Sequence, residues 1–267
     1  MRFTHGNLFL DHNITFRLFC FFLSLLSSCL YGETHFIFIT GGSASGKTTF
    51  AKKLSQGLGE TRTCYLSLDD YLDKRVQPKR YFIDGVPNFD HPTMINWPLL
   101  LQDLDRLQKG QKIDVPVYDF FCWMPTSFKQ MDWKPIVIIE GIHAGQKQLD
   151  SIPGLRIFLH IPEELQYKRR IERDMTERGY SLEMSKKFFF SIALPLQKTF
   201  VDSALDKAHI VIEQSDGQDY LEKTVSYVIK TFEKYQTTGY DRLKIFLQYD
   251  RNTLIEKNTE EIPHESQ

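Results

Sequence analysis

Short apolar runs rich in β-branched and aromatic residues recur along this chain, separated by longer stretches in which apolar positions return every three or four residues. The runs at Thr34–Thr40, Thr63–Leu68, Ile136–Glu140, Leu155–Ile161 and His209–Glu213 predict strands, and Thr48–Leu58, Trp97–Gln108 and Leu221–Tyr235 predict amphipathic helices. Ile136-Val-Ile-Ile139 is apolar at every position, as expected when helices cover both faces of a parallel sheet. The alternation predicts an α/β fold with a doubly wound parallel sheet, in which ligands collect at the carboxyl ends of the strands. Between the second and third strands, Asp69–Pro135 is an aromatic- and proline-rich insertion with one helical segment, a natural substrate-binding region. Three parts follow: an apolar leader over 1–32, a catalytic domain over 33–236, and a polar extension over 237–267 that opens with Thr237-Thr238-Gly239. The end of that extension is expected to be disordered.

With 267 residues and a formal net charge of −1, one catalytic domain with extensions is expected. The charge balance gives no reason to expect nucleic acid as a partner. Cys20, Cys29, Cys64 and Cys122 form no C-x-x-C pair, so neither a zinc site nor a disulfide framework is predicted.

Gly41-Gly-Ser-Ala-Ser-Gly-Lys-Thr48 satisfies the G-x-x-x-x-G-K-[ST] phosphate-binding pattern between a predicted strand and a predicted helix. Backbone amides of Gly41, Gly42, Ser43, Ser45 and Gly46, with Lys47, Thr48 and Thr49, are candidates to hold the triphosphate of ATP or GTP. The Thr48 hydroxyl suits one coordination position of Mg2+. A site of this kind needs ATP and so favours the cytoplasm. The leader, where Arg17 precedes Leu18-Phe-Cys-Phe-Phe-Leu-Ser-Leu-Leu-Ser-Ser-Cys-Leu30, resembles a secretory signal too short for a membrane span. Export or anchoring through it is the alternative, and the one route to a membrane.

Leu66-Ser-Leu-Asp-Asp-Tyr71 puts two carboxylates at a strand end facing the phosphate loop. Asp69 is the candidate catalytic base for an attacking hydroxyl, while Asp70 fits a turn or cap. Glu140, ending its strand, would bind the metal directly or through water, or would hydrogen-bond the phosphate loop as a structural carboxylate. In Gln166–Tyr180, Arg170 and Arg173 lie three apart and can face one ligand. The charge run reads either as a solvated helix face or, with Arg178 added to this pair, as an Arg-rich lid over the transferring phosphoryl group. Tyr118, Phe120, Phe121 and Trp123 suggest a core cluster or an aromatic slot for a flat base. Asp90, in Asn88-Phe-Asp-His-Pro92, can accept hydrogen bonds from sugar hydroxyls, and His91 and His143 fit structural roles.

The order of these motifs, together with Pro116-Val-Tyr-Asp-Phe120, Ile139-Glu-Gly-Ile142 and Arg169-Arg-Ile-Glu-Arg-Asp-Met-Thr-Glu-Arg-Gly179, resembles the uridine/cytidine kinase family of P-loop kinases, grouped with phosphoribulokinase. The likeness spans Thr34–Glu213. It implies that Asp69 is the catalytic aspartate, that Lys47 and Thr48 contact ATP and magnesium, and that Asp90 and Arg173 hold the ribose. Tyr118 and Phe120 would line the base pocket, and a homo-oligomer is implied. Trp123, Tyr180 and Phe188 stand where the family commonly has histidine, arginine and glutamine, and each exchange removes hydrogen-bonding capacity toward a base. The expected activity is transfer of a phosphoryl group from MgATP to the 5′-hydroxyl of uridine or cytidine. The alternatives are a kinase of another small alcohol such as a sugar phosphate or pantothenate, a nucleotide-dependent switch, and a non-catalytic relative.

Overall fold

The computed structural model describes residues 33–83, 87–119, 121–215, 218–241, 243–250 and 253–257. The leader and the end of the C-terminal extension lie outside them, as does Phe120. The predicted strands are present as β1 (His35–Gly41), β2 (Thr63–Ser67), β5 (Ile136–Glu140), β6 (Gly154–His160) and β7 (Ile210–Glu213). They stand in the order β2-β5-β1-β6-β7, all parallel. The phosphate loop therefore leaves a central strand, with the ends of β2 and β5 on one side and of β6 on the other. This is the crevice position expected of an α/β ligand site.

Alternation along β1 explains the two layers. Ile37 and Ile39 face a core completed by Phe50, Ala51, Leu54 and Leu58 of α1 (Lys47–Leu58) and by Val225, Val228 and Phe232 of α6 (Gln218–Tyr235). Phe36 and Phe38 face the opposite core, where α2 (Trp97–Gln108) contributes Leu100, Leu104 and Leu107. All these side chains are buried, so each residue from Phe36 to Ile39 is committed to one layer or the other.

The sequence reading differs from the structure in two places. The insertion contains, besides α2, an antiparallel hairpin of β3 (Ile113–Asp119) and β4 (Met124–Met131). Side chains of β4 are mostly exposed, so it lacks the half-buried alternation by which a strand is recognised. Nor is the stretch after 236 simply a polar extension. There β8 (Ile245–Asp250) pairs parallel with β7, and β9 (Thr253–Lys257) pairs antiparallel with β8. Ile245 and Leu247 enter the α6-side core, and Phe246 enters a cluster with Phe158 and Val211. Three apolar residues in a row sufficed, and the polar neighbours hid them.

The turn Leu68–Tyr71, which carries Asp69, is tied to α2 by a buried pair: the Tyr71 hydroxyl donates to Asp103 Oδ2 at 2.9 Å. Burial pushes the Asp103 carboxyl up, and this hydrogen bond pulls it back. Replacing Tyr71 with Phe should therefore cost about 1–3 kcal/mol, because a buried acceptor loses its donor. Urea unfolding of the two proteins measures this, and an unchanged midpoint would show that the pair does not secure the turn.

Candidate active site

The loop joining β1 to α1 takes its shape from backbone conformations that side chains rarely adopt. Gly46, the residue before α1, has φ 83°, Gly41 has φ 149°, and Ala44 sits in the left-handed region at φ 62°. A non-glycine residue held there implies that the surroundings fix the loop. No acidic residue lies in the first turn of α1 and no side chain caps it, so its amide groups and positive dipole end remain available to an anion. Ser45 is fully buried, while Thr48 and Thr49 are exposed on the first turn.

Lys47 is buried, and its Nζ donates to the Gly42 carbonyl at 2.8 Å. Burial lowers its pKa to about 8, against the opposing pull of Glu140 and Asp69. Glu140, buried at the end of β5, accepts hydrogen bonds at Oε1 from Thr48 Oγ1 (3.1 Å), Tyr65 OH (2.9 Å) and Ser67 Oγ (3.0 Å). Crowding these donors on one oxygen leaves the other for a hard cation. Thr48 and Glu140 supply only oxygen, the donor chemistry magnesium requires, and one carboxylate beside phosphate oxygens is its common protein environment. The residues fit the ion. Among the described residues no cluster of His, Cys, Asp and Glu suggests any other metal site, and Cys64 and Cys122 are free thiols.

Asp69 follows β2, with its backbone N–H held by Ser67 Oγ at 3.4 Å. The residue as a whole is exposed, yet its surroundings desolvate the carboxyl, and this desolvation followed by the Glu140 charge raises its pKa. Lys47, Arg178 and Arg173 pull in the opposite direction. Asp70 beside it is raised to about 6, by burial and then by Asp69.

Facing this acidic wall is α3 (Glu163–Thr176), whose residues Gln166, Arg170 and Asp174 are buried at four-residue spacing. Gln166 Nε2 donates to the Ser43 carbonyl at 2.9 Å. Arg170 NH1 donates to Ser43 Oγ at 2.6 Å and stands 3.8 Å from Asp90 Oδ1. Arg173 NH2 reaches the same Ser43 hydroxyl at 3.5 Å, so two of the three predicted arginines meet the phosphate loop. Arg178 is more exposed and pairs with Asp174 at 3.4 Å.

The aromatic cluster is looser than its sequence spacing suggests. Tyr118 is buried and senses the Asp69 charge, whereas Phe121 is 96% exposed and joins no hydrophobic core cluster among the described residues. Trp123, held at φ 59° by the hairpin turn, sets its ring edge-on to Phe89, next to Asp90, at 6.4 Å. Tyr180 and Phe188 meet each other, with ring centroids 5.7 Å apart. His91 caps the turn Pro92–Met94, its Nδ1 accepting from the Thr93 N–H, and His143 is buried with its pKa lowered to about 3.

A phosphate loop on a central strand, carboxylates at the ends of the neighbouring strands and a basic helix over the loop are the parts of a P-loop kinase, an enzyme that moves a phosphoryl group from ATP to a small molecule. The family model described as "Phosphoribulokinase / Uridine kinase family" matches residues 36–220, and the chain belongs to that family. Uridine kinase of Borrelia duttonii (strain Ly) is 30% identical over 203 residues, 73% of this chain and 94% of that protein. Uridine kinase of Halobacterium salinarum is 30% identical over 178 residues, 66% of this chain and 78% of that one. Mouse uridine-cytidine kinase-like 1 is also 30% identical, over 69% of this chain, but the match spans only 34% of its length. Among solved structures, a putative fructose transport system kinase from Silicibacter sp. TM1040 superposes with TM-score 0.54 at 15% identity, covering 67% of this chain and 93% of that one. That likeness concerns the fold alone. No helix among the described residues is long and apolar enough to cross a membrane.

Proposed function

We propose that this kinase phosphorylates the 5′-hydroxyl of a pyrimidine nucleoside, with MgATP as donor. The observation that carries the reading is a cleft with two chemically opposite walls. In this reading Asp69 and Asp90 serve the acceptor and the loop amides and Lys47 serve the donor; the charges of both aspartates act on Lys47. An acidic wall binds and deprotonates hydroxyls, and a basic wall gathers phosphates. Curated relatives named uridine kinase support the nucleoside as acceptor.

In this reading the loop over Gly41, Gly42, Ser43, Ser45 and Gly46, with Lys47, Thr48 and Thr49, cradles the triphosphate. Thr48 and Glu140 hold magnesium, which when bound offsets charge on the phosphate oxygens. Asp69 orients the acceptor hydroxyl and takes its proton as the oxygen attacks. Arg170, Arg173 and Arg178 stabilise charge on the transferring group. Asp90 and Arg173 hold the ribose hydroxyls, and Tyr118 and Trp123 flank the base.

A second reading, phosphorylation of another small alcohol, is favoured by the Tyr180–Phe188 contact, which puts an aromatic pair where polar readers of a pyrimidine edge are expected. Coupled ATP turnover against nucleosides, pantothenate, glycerate and ribulose 5-phosphate, with a no-acceptor control, separates the two. Stimulation by uridine or cytidine is the expected result. Stimulation by a different alcohol alone selects the second reading, and acceptor-independent turnover overturns both.

A further inference from the structure

We infer that Asp174 is a positioning residue that sets the arginine cluster for phosphoryl transfer, a role that rests on the proposed action of those arginines. Asp174 is fully buried, so it touches neither substrate nor solvent. A buried carboxylate persists only when it is paired and hydrogen-bonded. Its partners are the lid arginines themselves: Arg170 Nε at 2.8 Å on Oδ2, and Arg173 NH2 at 3.1 Å and Arg178 NH1 at 3.4 Å on Oδ1.

Which nitrogens bind is the informative part. Asp174 takes Nε of Arg170, and NH1 of the same guanidinium is turned forward onto Ser43 Oγ at 2.6 Å. Arg173 likewise spends Nε (3.3 Å) and one edge of NH2 (3.1 Å) on Asp174, and its NH2 also reaches Ser43 Oγ at 3.5 Å. A guanidinium is a rigid planar fork, so fixing its rear edge fixes the direction of its front edge. Asp174 thereby aims two forks at one point over the phosphate loop. It also offsets their mutual repulsion. Burial lowers the Arg173 pKa, and the Arg178 and Arg170 charges lower it further, with Asp174 opposing them. Without the carboxylate, these cations would spread apart, and Arg170 would keep as its carboxylate contact only the longer one to Asp90 at 3.8 Å.

The neutral near-isostere separates aiming from simple packing. In Asp174→Asn the arginines keep their charge but lose the anion that orients them. Turnover should fall about 100-fold, the scale of a small misplacement at a reacting centre, while KM for ATP stays within about threefold because the loop and Lys47 are intact. A double-mutant cycle with Arg173→Lys, which keeps the charge but loses the fork, should be strongly non-additive, since both substitutions remove one arrangement. If Arg173→Lys alone leaves kcat unchanged, the arginine role itself fails. If Arg173→Lys lowers kcat but Asp174→Asn does not, or the two losses multiply, the positioning role is overturned and the assigned arginine function stands. Should Asn at 174 prevent folding, Asp174→Glu decides, because it keeps the charge and moves it by one methylene. A loss in kcat without a change in KM supports the inference, and unchanged kcat overturns it.

Discussion

Replacing Asp69 with Asn is expected to slow turnover about 1,000-fold, within the range for loss of a general base, with little change in KM for ATP. The amide matches the carboxylate in size, and the backbone N–H of residue 69 can still be held by Ser67. What disappears is the ability to take the proton of the attacking hydroxyl. The pH profile gives an independent signature. Enclosure in the cleft, then the Glu140 charge, raises the Asp69 pKa above its ordinary value. A base works only when ionised, so log kcat/KM should climb with unit slope as pH rises through that elevated pKa and then level off. In Asp69→Asn the limb should vanish. Asp70, raised to about 6, is the competing source of such a limb, and Asp70→Asn is the control. A limb that survives Asp69→Asn but disappears in Asp70→Asn would transfer the base to Asp70.

The parts of this site that were legible in the sequence are those encoded by contiguous residues with restricted chemistry. The loop Gly41–Thr48 placed glycine at backbone angles that disfavour side chains, Asp69 announced itself by following an apolar strand, and Glu140 by ending one. Residues that act through spatial convergence were harder to see. Tyr65 lies within β2, and its hydroxyl matters only because β2 and β5 are neighbours in register, Tyr65 opposite Ile138 and Ser67 opposite Glu140. Asp174 and Gln166 did leave a trace, a polar stripe at four-residue spacing through Arg170, but in a segment with so many charges a solvated face explains the same pattern. The β3–β4 hairpin and the β8–β9 edge were hidden for another reason: β4 is mostly exposed, and β8 buries three consecutive residues, Ile245 to Leu247, so neither shows a periodicity of two. Burial, which makes a pattern readable, and convergence, which makes a site, are separate properties, and Glu140 was visible because it has both.

Lys47 should carry an effect as large as that of Asp69. Substitution by Met preserves the buried stem but removes the charge, and kcat/KM for ATP is expected to fall about 1,000-fold, the upper scale for one electrostatic contact at a reacting group. The desolvated position adds a pH dependence of opposite sign to that of Asp69. Burial lowers Lys47 to about 8 in the ligand-free site, outweighing the attraction of Glu140 and Asp69. A bound triphosphate brings negative charge beside it and must raise that pKa. Below about 8 the ammonium is charged with or without nucleotide, so affinity is insensitive to pH there. Above that value the free site loses its proton and binding must recover it. ATP affinity should then fall about tenfold per pH unit, until the pKa of the complex is reached, with uptake of up to about one proton per nucleotide. Calorimetric titration in buffers of different ionisation enthalpy measures that proton directly. Uptake at pH 9 in the parent protein, absent in Lys47→Met, is the expected outcome. Affinity that is flat to pH 10 with no proton taken up would mean that the lysine keeps its ordinary pKa and that the cleft is wetter around Nζ than its burial implies.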